Sequence, residues 1–209
     1  VFSSYHLYAP YDANDDQFSD IPKQRRFNFN PRLFFYLDER TTASLGVNTS
    51  FEEREGGFIP KIDGDANSVS DYTELNTSTR IATQLKIDHK FGECSHLFLK
   101  NSVSYFDREL TIPNYQFAGE QISSFSELGY ALHGEKLEWV TGINLWTNQF
   151  RESPIGQNQA LRDYDLTTFG AFLQNTWNIS SKLALETGLR ADYQNELGGF
   201  VLPKVSVLY

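Results

Sequence analysis

Methionine is absent from the 209 residues and cysteine occurs once. No apolar run reaches the roughly 18 residues that mark a membrane-spanning helix. Each absence excludes something. A single Cys94 cannot build a disulfide framework or a thiolate metal cluster. Without methionine, Val1 is not expected to be an original translation start, so a mature or truncated product is expected. No basic stretch leading into an apolar one opens the chain, so no signal peptide is visible. Positive charge is scarce: Lys and Arg total 18 against 27 Asp and Glu, for a net charge of -9 and a pI near 4.9. That balance leaves no basic face for phosphates and argues against a nucleic-acid partner. Neither a Walker loop nor HExxH occurs. What is abundant is aromatic: 17 Phe, 11 Tyr and 3 Trp, although the mean hydropathy is only -0.45. Such a chain is too aromatic to be disordered.

Alternation with period 2 runs along most of the length, and no segment carries a convincing helical period. In 182–193, Leu183, Leu185, Thr187, Leu189, Ala191 and Tyr193 share one face, while Lys182, Glu186, Gly188, Arg190 and Asp192 share the other. The same division appears in 137–150, 95–108 and 77–90. The class is all-β, with about ten strands expected at 1–8, 27–37, 41–51, 73–90, 95–108, 119–132, 137–150, 166–178, 182–194 and 199–209. Many of these exceed the roughly five or six residues of an average globular strand. Their length suits a tilted strand crossing a bilayer, which needs about 9–11 residues.

The connections sort by length. Tight ones fall at 38–40, 92–94, 134–135 and 180–181; longer ones fall between them at 9–26, 52–72, 109–118 and 151–165, with 195–198 the short exception. Short turns at one end and long loops at the other are the habit of outer-membrane barrels. A weak repeat agrees: Lys136-Leu137 with Thr141-Gly142-Ile143 returns as Lys182-Leu183 with Thr187-Gly188-Leu189, echoed by Leu45-Gly46-Val47. Glycine at these places implies sheet curvature or room for something in the barrel interior.

Aromatic placement bears on what the apolar face meets. Trp139, Trp177, Phe91 and Tyr130 lie near the short turns, and Phe51, Tyr105, Phe169 and Tyr193 near the long loops. Two aromatic girdles at strand ends mark the two membrane interfaces. The apolar face is therefore expected to meet lipid. The face with Arg32, Arg80, Lys86, Lys100, Arg108, Glu127, Glu138, Glu186, Arg190 and Lys204 is then expected to line a lumen.

Certain blocks resemble a known family. These are 27–35, 101–110, 134–142, Gly170-Ala171-Phe172-Leu173-Gln174-Asn175 followed by Trp177, and Leu185-Glu186-Thr187-Gly188-Leu189-Arg190. They are similar to the barrel of TonB-dependent outer-membrane receptors of the kind common in Bacteroidota, over about 27–209. The resemblance implies an antiparallel up-and-down transmembrane barrel of 22 strands enclosing a plug, of which ten strands would be a middle piece. It also implies uptake of a scarce ligand such as a ferric siderophore, haem, cobalamin or a glycan. The implied partners are outer-membrane lipid and lipopolysaccharide, a plug domain of the same full-length protein, TonB through regions outside this chain, and a small ligand. Two other readings stay open: a complete small barrel acting as a passive porin or structural protein, in which 1–8 would pair with 199–209, and a soluble β-sheet binding module.

No nucleophilic catalytic constellation stands out, and His6, His89, His96 and His133 are scattered. A ligand would be expected near the long-loop end of the lumen, at Arg80, Ser104, Arg108, Trp146, Asn148 and Asp192, where Arg and aromatic groups together offer charge-assisted hydrogen bonds and stacking. No cofactor is implied beyond a speculative structural calcium. Asp63, Asp65, Asn67, Asp71 and Glu74 occupy positions 1, 3, 5, 9 and 12 of a calcium-loop template, but Ser68 stands where that template needs glycine. The segment 52–71 is also acidic, with six acids against Arg54 and Lys61.

Overall fold

A computed structural model describes residues 1–65, 67–155 and 160–209. The strands are β1 (Phe2–Tyr8), β2 (Lys23–Asn30), β3 (Arg32–Tyr36), β4 (Thr41–Gly57), β5 (Thr73–Lys90), β6 (Ser95–Ile112), β7 (Tyr115–His133), β8 (Leu137–Glu152), β9 (Tyr164–Ser180), β10 (Leu183–Gln194) and β11 (Gly198–Leu208), with one short helix, α1 (Ile59–Ile62). All pair antiparallel in one up-and-down sheet whose order is the chain order, except that β2 and β3 both pair with β4. Those two are one strand in register: Phe29 lies opposite Thr49 and Arg32 opposite Gly46, a constant offset across Pro31. Proline has no N–H to give the ladder, yet its carbonyl still accepts from Val47 N at 3.0 Å.

The sheet is open. β1 pairs only with β2 and β11 only with β10. This corrects the closed small-barrel reading, which required a β1–β11 pair. The accessible surface is 14026 Å², against about 9,900 Å² for a compact soluble protein of this mass. Among the described residues, the only buried apolar side chains are Phe58, Ile62, Phe98 and Ala131. A single layer with its apolar face uncovered has no two-layer core, which removes the physical basis for a soluble module.

Several strands run longer than alternation suggests: β4 and β6 to β9 each have 16 to 19 residues, while β5 matches its expected span of 73–90. The added length lies at the long-loop end. There the otherwise apolar face itself turns charged, with Arg25 paired to Glu53 and Asp107 to Glu120, and Glu120 in turn to Arg151. Once both faces are polar the hydrophobic period disappears, but the ladder continues. One expected loop is consequently no loop. Segment 109–118 is strand up to a two-residue turn, Pro113-Asn114, with Asn114 at φ 64. Proline at the first central position and positive φ at the second are the marks of a type II turn. Replacing Asn114 by valine should cost about 1–2 kcal/mol for left-handed backbone in a β-branched residue. A lowered unfolding midpoint for Asn114→Val, with Asn114→Gly unchanged, would show it.

The repeat glycines have a local cause. Gly46, Gly142 and Gly188 lie opposite Arg32, Phe172 and Lys204. A Cβ on Gly142 would stand 2.8 Å from the Phe172 ring, and one on Gly46 would stand 3.3 Å from Arg32 Nε. Gly46 and Gly142 leave room for the long side chain facing them from the next strand, whereas a Cβ on Gly188 would meet only ordinary contacts of 3.6 Å or more.

Candidate functional site

Register settles which side chains share a face. Trp139, Trp177, Tyr130, Phe51, Tyr105, Phe169 and Tyr193 all lie on the apolar face, in two bands. Arg80, Ser104, Arg108, Trp146, Asn148 and Asp192 all lie on the opposite, polar face. Five of these six form one patch. Arg80 is directly opposite Phe106, which faces Gln121, which faces Phe150, which faces Tyr164, so a single cross-strand row runs from β5 to β9. Asn148 faces Ser123, which faces Ser104, in the adjoining row, and Trp146 follows in the next. Asp192, two residues from the end of β10, stands apart in another row, opposite Gly170. Arg190 Nε donates to its Oδ2 at 2.7 Å, and the pair packs against buried Asn144 over Gly170.

The polar face divides electrostatically. Around β6 to β11 the cations are compensated: Lys100 by Glu127 at 2.8 Å, Lys204 by Glu186 at 2.6 Å and Arg190 by Asp192 at 2.7 Å. Around β2 to β6 they are in excess. Arg26 and Arg54 share one carboxylate, Glu52. Arg32 donates to the neutral Gln84 and Arg108 to Asn76, while Arg80 lies 4.7 Å over the Phe106 ring. Arg32, Arg80 and Arg108 have no carboxylate partner among the described residues. The acids Glu52, Glu53 and Glu55, read from sequence as part of an acidic loop, belong to β4 and mostly face arginine or lysine.

Above this wall two loops are joined. Phe18 packs on Phe58 at 5.3 Å and on Tyr72 at 6.3 Å, Ser19 N donates to Gly57 O at 2.9 Å, and Ile59 N donates to Gln17 O at 2.9 Å. Beneath the joint lies a cavity of about 500 Å³ lined by Phe18, Arg54, Tyr72, Glu74, Asn76 and Arg108. A third loop is clipped at its base. Arg162 donates to both oxygens of Glu152, at 2.8 Å and 2.5 Å, and lies 5.1 Å over Phe117. Phe117 stacks on Phe150, and Phe150 on Tyr164. These bonds hold the Glu152 carboxyl down at about 2 and push the Arg162 guanidinium up. Residues 156–159 of the expected loop 151–165 lie outside the described residues.

The calcium template is not assembled. Asp63 caps α1, Asp65 accepts from Asn67 N, Asp71 bonds Lys61 at 2.7 Å and Glu74 belongs to β5. Among the described residues no three Asp, Glu, His or Cys side chains gather as a metal site. The Lys61 ammonium holds the Asp71 carboxyl below its ordinary range. Sequence reading missed the Phe18 joint, which unites two loops distant in sequence, and the Glu152–Arg162 clip, which closes a single loop, because none of these loops carries a periodicity.

The family model for "TonB dependent receptor-like, beta-barrel" matches residues 2–209. No curated protein matches the sequence. Among solved structures, the fold is similar to "Copper transporter OprC", with 13% identity and a TM-score of 0.68 over 98% of this chain and 36% of that one. It is similar to the ferric enterobactin receptor PfeA of Pseudomonas aeruginosa, with 11% identity and a TM-score of 0.64 over 97% and 33%. It is also similar to the ferric-catecholate import receptor Fiu of E. coli, with 9% identity and a TM-score of 0.64 over 90% and 43%. The chain thus spans about a third of the length of the first two. With the family model matching from the first strand to the last, the chain belongs to the TonB-dependent receptor β-barrel family.

Proposed function

We propose that this chain is part of the barrel wall of a receptor that imports a scarce solute across the outer membrane, driven by TonB acting on regions beyond these strands. The observation that carries the reading is the roofed cavity over an arginine-rich wall, at the end of the sheet where the loops are long. Small-molecule sites are concave, with a few placed polar groups, and here Arg54, Asn76 and Arg108 converge under an aromatic joint. The named relatives transport copper or ferric siderophore complexes, which supports import of a scarce solute without choosing this receptor's ligand. The polar face would then line the lumen around a plug, and the apolar face would meet lipid and lipopolysaccharide. The role is that of a transport receptor rather than an enzyme.

The test is uptake by cells. Depletion from the medium of a labelled panel of ferric siderophores, haem, cobalamin and short oligosaccharides would be followed in wild-type cells, in cells lacking the gene, and in cells lacking the inner-membrane coupling complex. The expected result is loss of one solute's uptake in both deficient strains. Uptake that survives loss of coupling would mean a passive barrel.

A further inference from the structure

We infer that the long-loop half of the polar wall is a binding strip for an elongated acidic oligosaccharide. This rests on the receptor reading above and names the ligand class for that wall. β8 presents Trp146, Asn148 and Phe150 in alternation on the polar face, and the Trp146 indole is 54% exposed. Phe150 and Tyr164 extend the aromatic surface to β9, with ring centroids 5.5 Å apart and planes within 24°. From Arg80 on β5 to Tyr164 on β9 the row crosses four inter-strand steps, or about 19 Å at ordinary strand spacing. That is the reach of a chain of rings rather than of a single one.

The polar groups within the strip decide between ligand classes. Gln121 Nε2 donates to Asn148 Oδ1 at 2.8 Å and to Tyr164 Oη at 3.1 Å, and Ser123 Oγ donates to Asn148 Oδ1 at 3.2 Å. These bonds orient the two amides. They leave Asn148 Nδ2 and Gln121 Oε1 without a protein partner among the described residues, and neither atom is sealed from solvent. A free amide donor beside a free amide acceptor matches vicinal hydroxyls, each of which can both give and receive a hydrogen bond. A flat aromatic acid would cover the rings and reach the arginines, but it would strip water from these amides without replacing it, which is costly. At the β5–β6 edge the exposed Arg80, held over Phe106, and Arg108 supply charge that no carboxylate among the described residues neutralises. Acidic groups on the ligand would meet them.

Binding to the purified full-length receptor would be measured by calorimetry with three acidic tetrasaccharides (galacturonate, mannuronate and a glucuronate-containing chain). Maltotetraose and a ferric catecholate complex serve as comparators. The expected result is that one acidic tetrasaccharide binds at least tenfold more tightly than either comparator. Trp146→Ala should weaken it tenfold or more at all salt concentrations, and Arg80→Ala should weaken it while flattening its salt dependence. The receptor's circular dichroism and heat-modifiable migration would confirm that both variants are folded. No binding by any of the three, tighter binding of the ferric catecholate, or binding indifferent to both substitutions would overturn the inference. The receptor reading would stand through any of these outcomes, because the coupling-dependent uptake experiment decides it separately.

Discussion

The full-length receptor carrying Gly129→Val should assemble poorly in the outer membrane. It should migrate without the heat-modifiable shift of a closed barrel, and what does fold should unfold at lower denaturant. Gly129 faces the polar side of β7 directly opposite Phe98 of β6, and the Phe98 ring lies across the glycine. A Cβ at 129 would stand 2.2 Å from the ring's Cζ and 2.5 Å from Cε2. Even alanine must therefore displace a ring that is one of the few buried side chains and that also carries the Lys100 ammonium at 4.7 Å. Overpacking of this kind costs about 1–3 kcal/mol, with valine above alanine because its branches have nowhere to turn. The mechanism has its own signature. Combined with Phe98→Ala, the Gly129→Ala change should cost measurably less than it does alone, because contacting residues are not additive. Equal cost in both backgrounds would show that the ring is not what excludes the side chain.

The second large effect is pH dependence at the base of the loop between β8 and β9. The Glu152 carboxyl is held at about 2 against an ordinary 4.5, because Arg162 bonds it with its side chain and backbone. A group whose pKa is depressed on folding stabilises the folded form fully above its unfolded value, and the contribution disappears as pH falls through the folded value. The clip should accordingly be intact above about pH 4.5, weaken from there towards 2, and be absent below. Limited proteolysis in 153–163 should accelerate over that window in the wild-type receptor. In Glu152→Gln it should already be fast at neutral pH and flat with acidification. Loss of the clip would also free Arg162 from its place over Phe117 and loosen the Phe117–Phe150–Tyr164 stack that borders the proposed strip. A variant as resistant and as pH-sensitive as wild type would show that the ion pair does not hold this loop.

Much of the fold was legible because a strand's side chains alternate between two faces, and an apolar face against a charged one is a strong contrast. The alternation in 182–193 or 137–150 places each residue on its face with no three-dimensional information, and the structure keeps those assignments from Leu183 onward and from Leu137 to Phe150. All six candidate ligand residues fall on the polar face for the same reason. Legibility fails where the contrast fails. Near the ends of β6 and β7 the two faces no longer contrast, so Glu109 to Ala118 looks like loop although it is ladder and turn.

By itself, then, the sequence determined the class, the strand count to within one split strand, the two faces and the family, since all of these rest on local period and local motifs. Only the tertiary structure decided that β1 and β11 do not close on each other. It alone showed that Gly46 and Gly142 make room for facing side chains, that loops 9–22 and 58–72 are joined through Phe18, and that Asp192 lies opposite Gly170, in a row apart from the other five. Each of these depends on register between segments far apart in the chain. A one-residue slip would exchange every face, and composition does not record the pairing that prevents it.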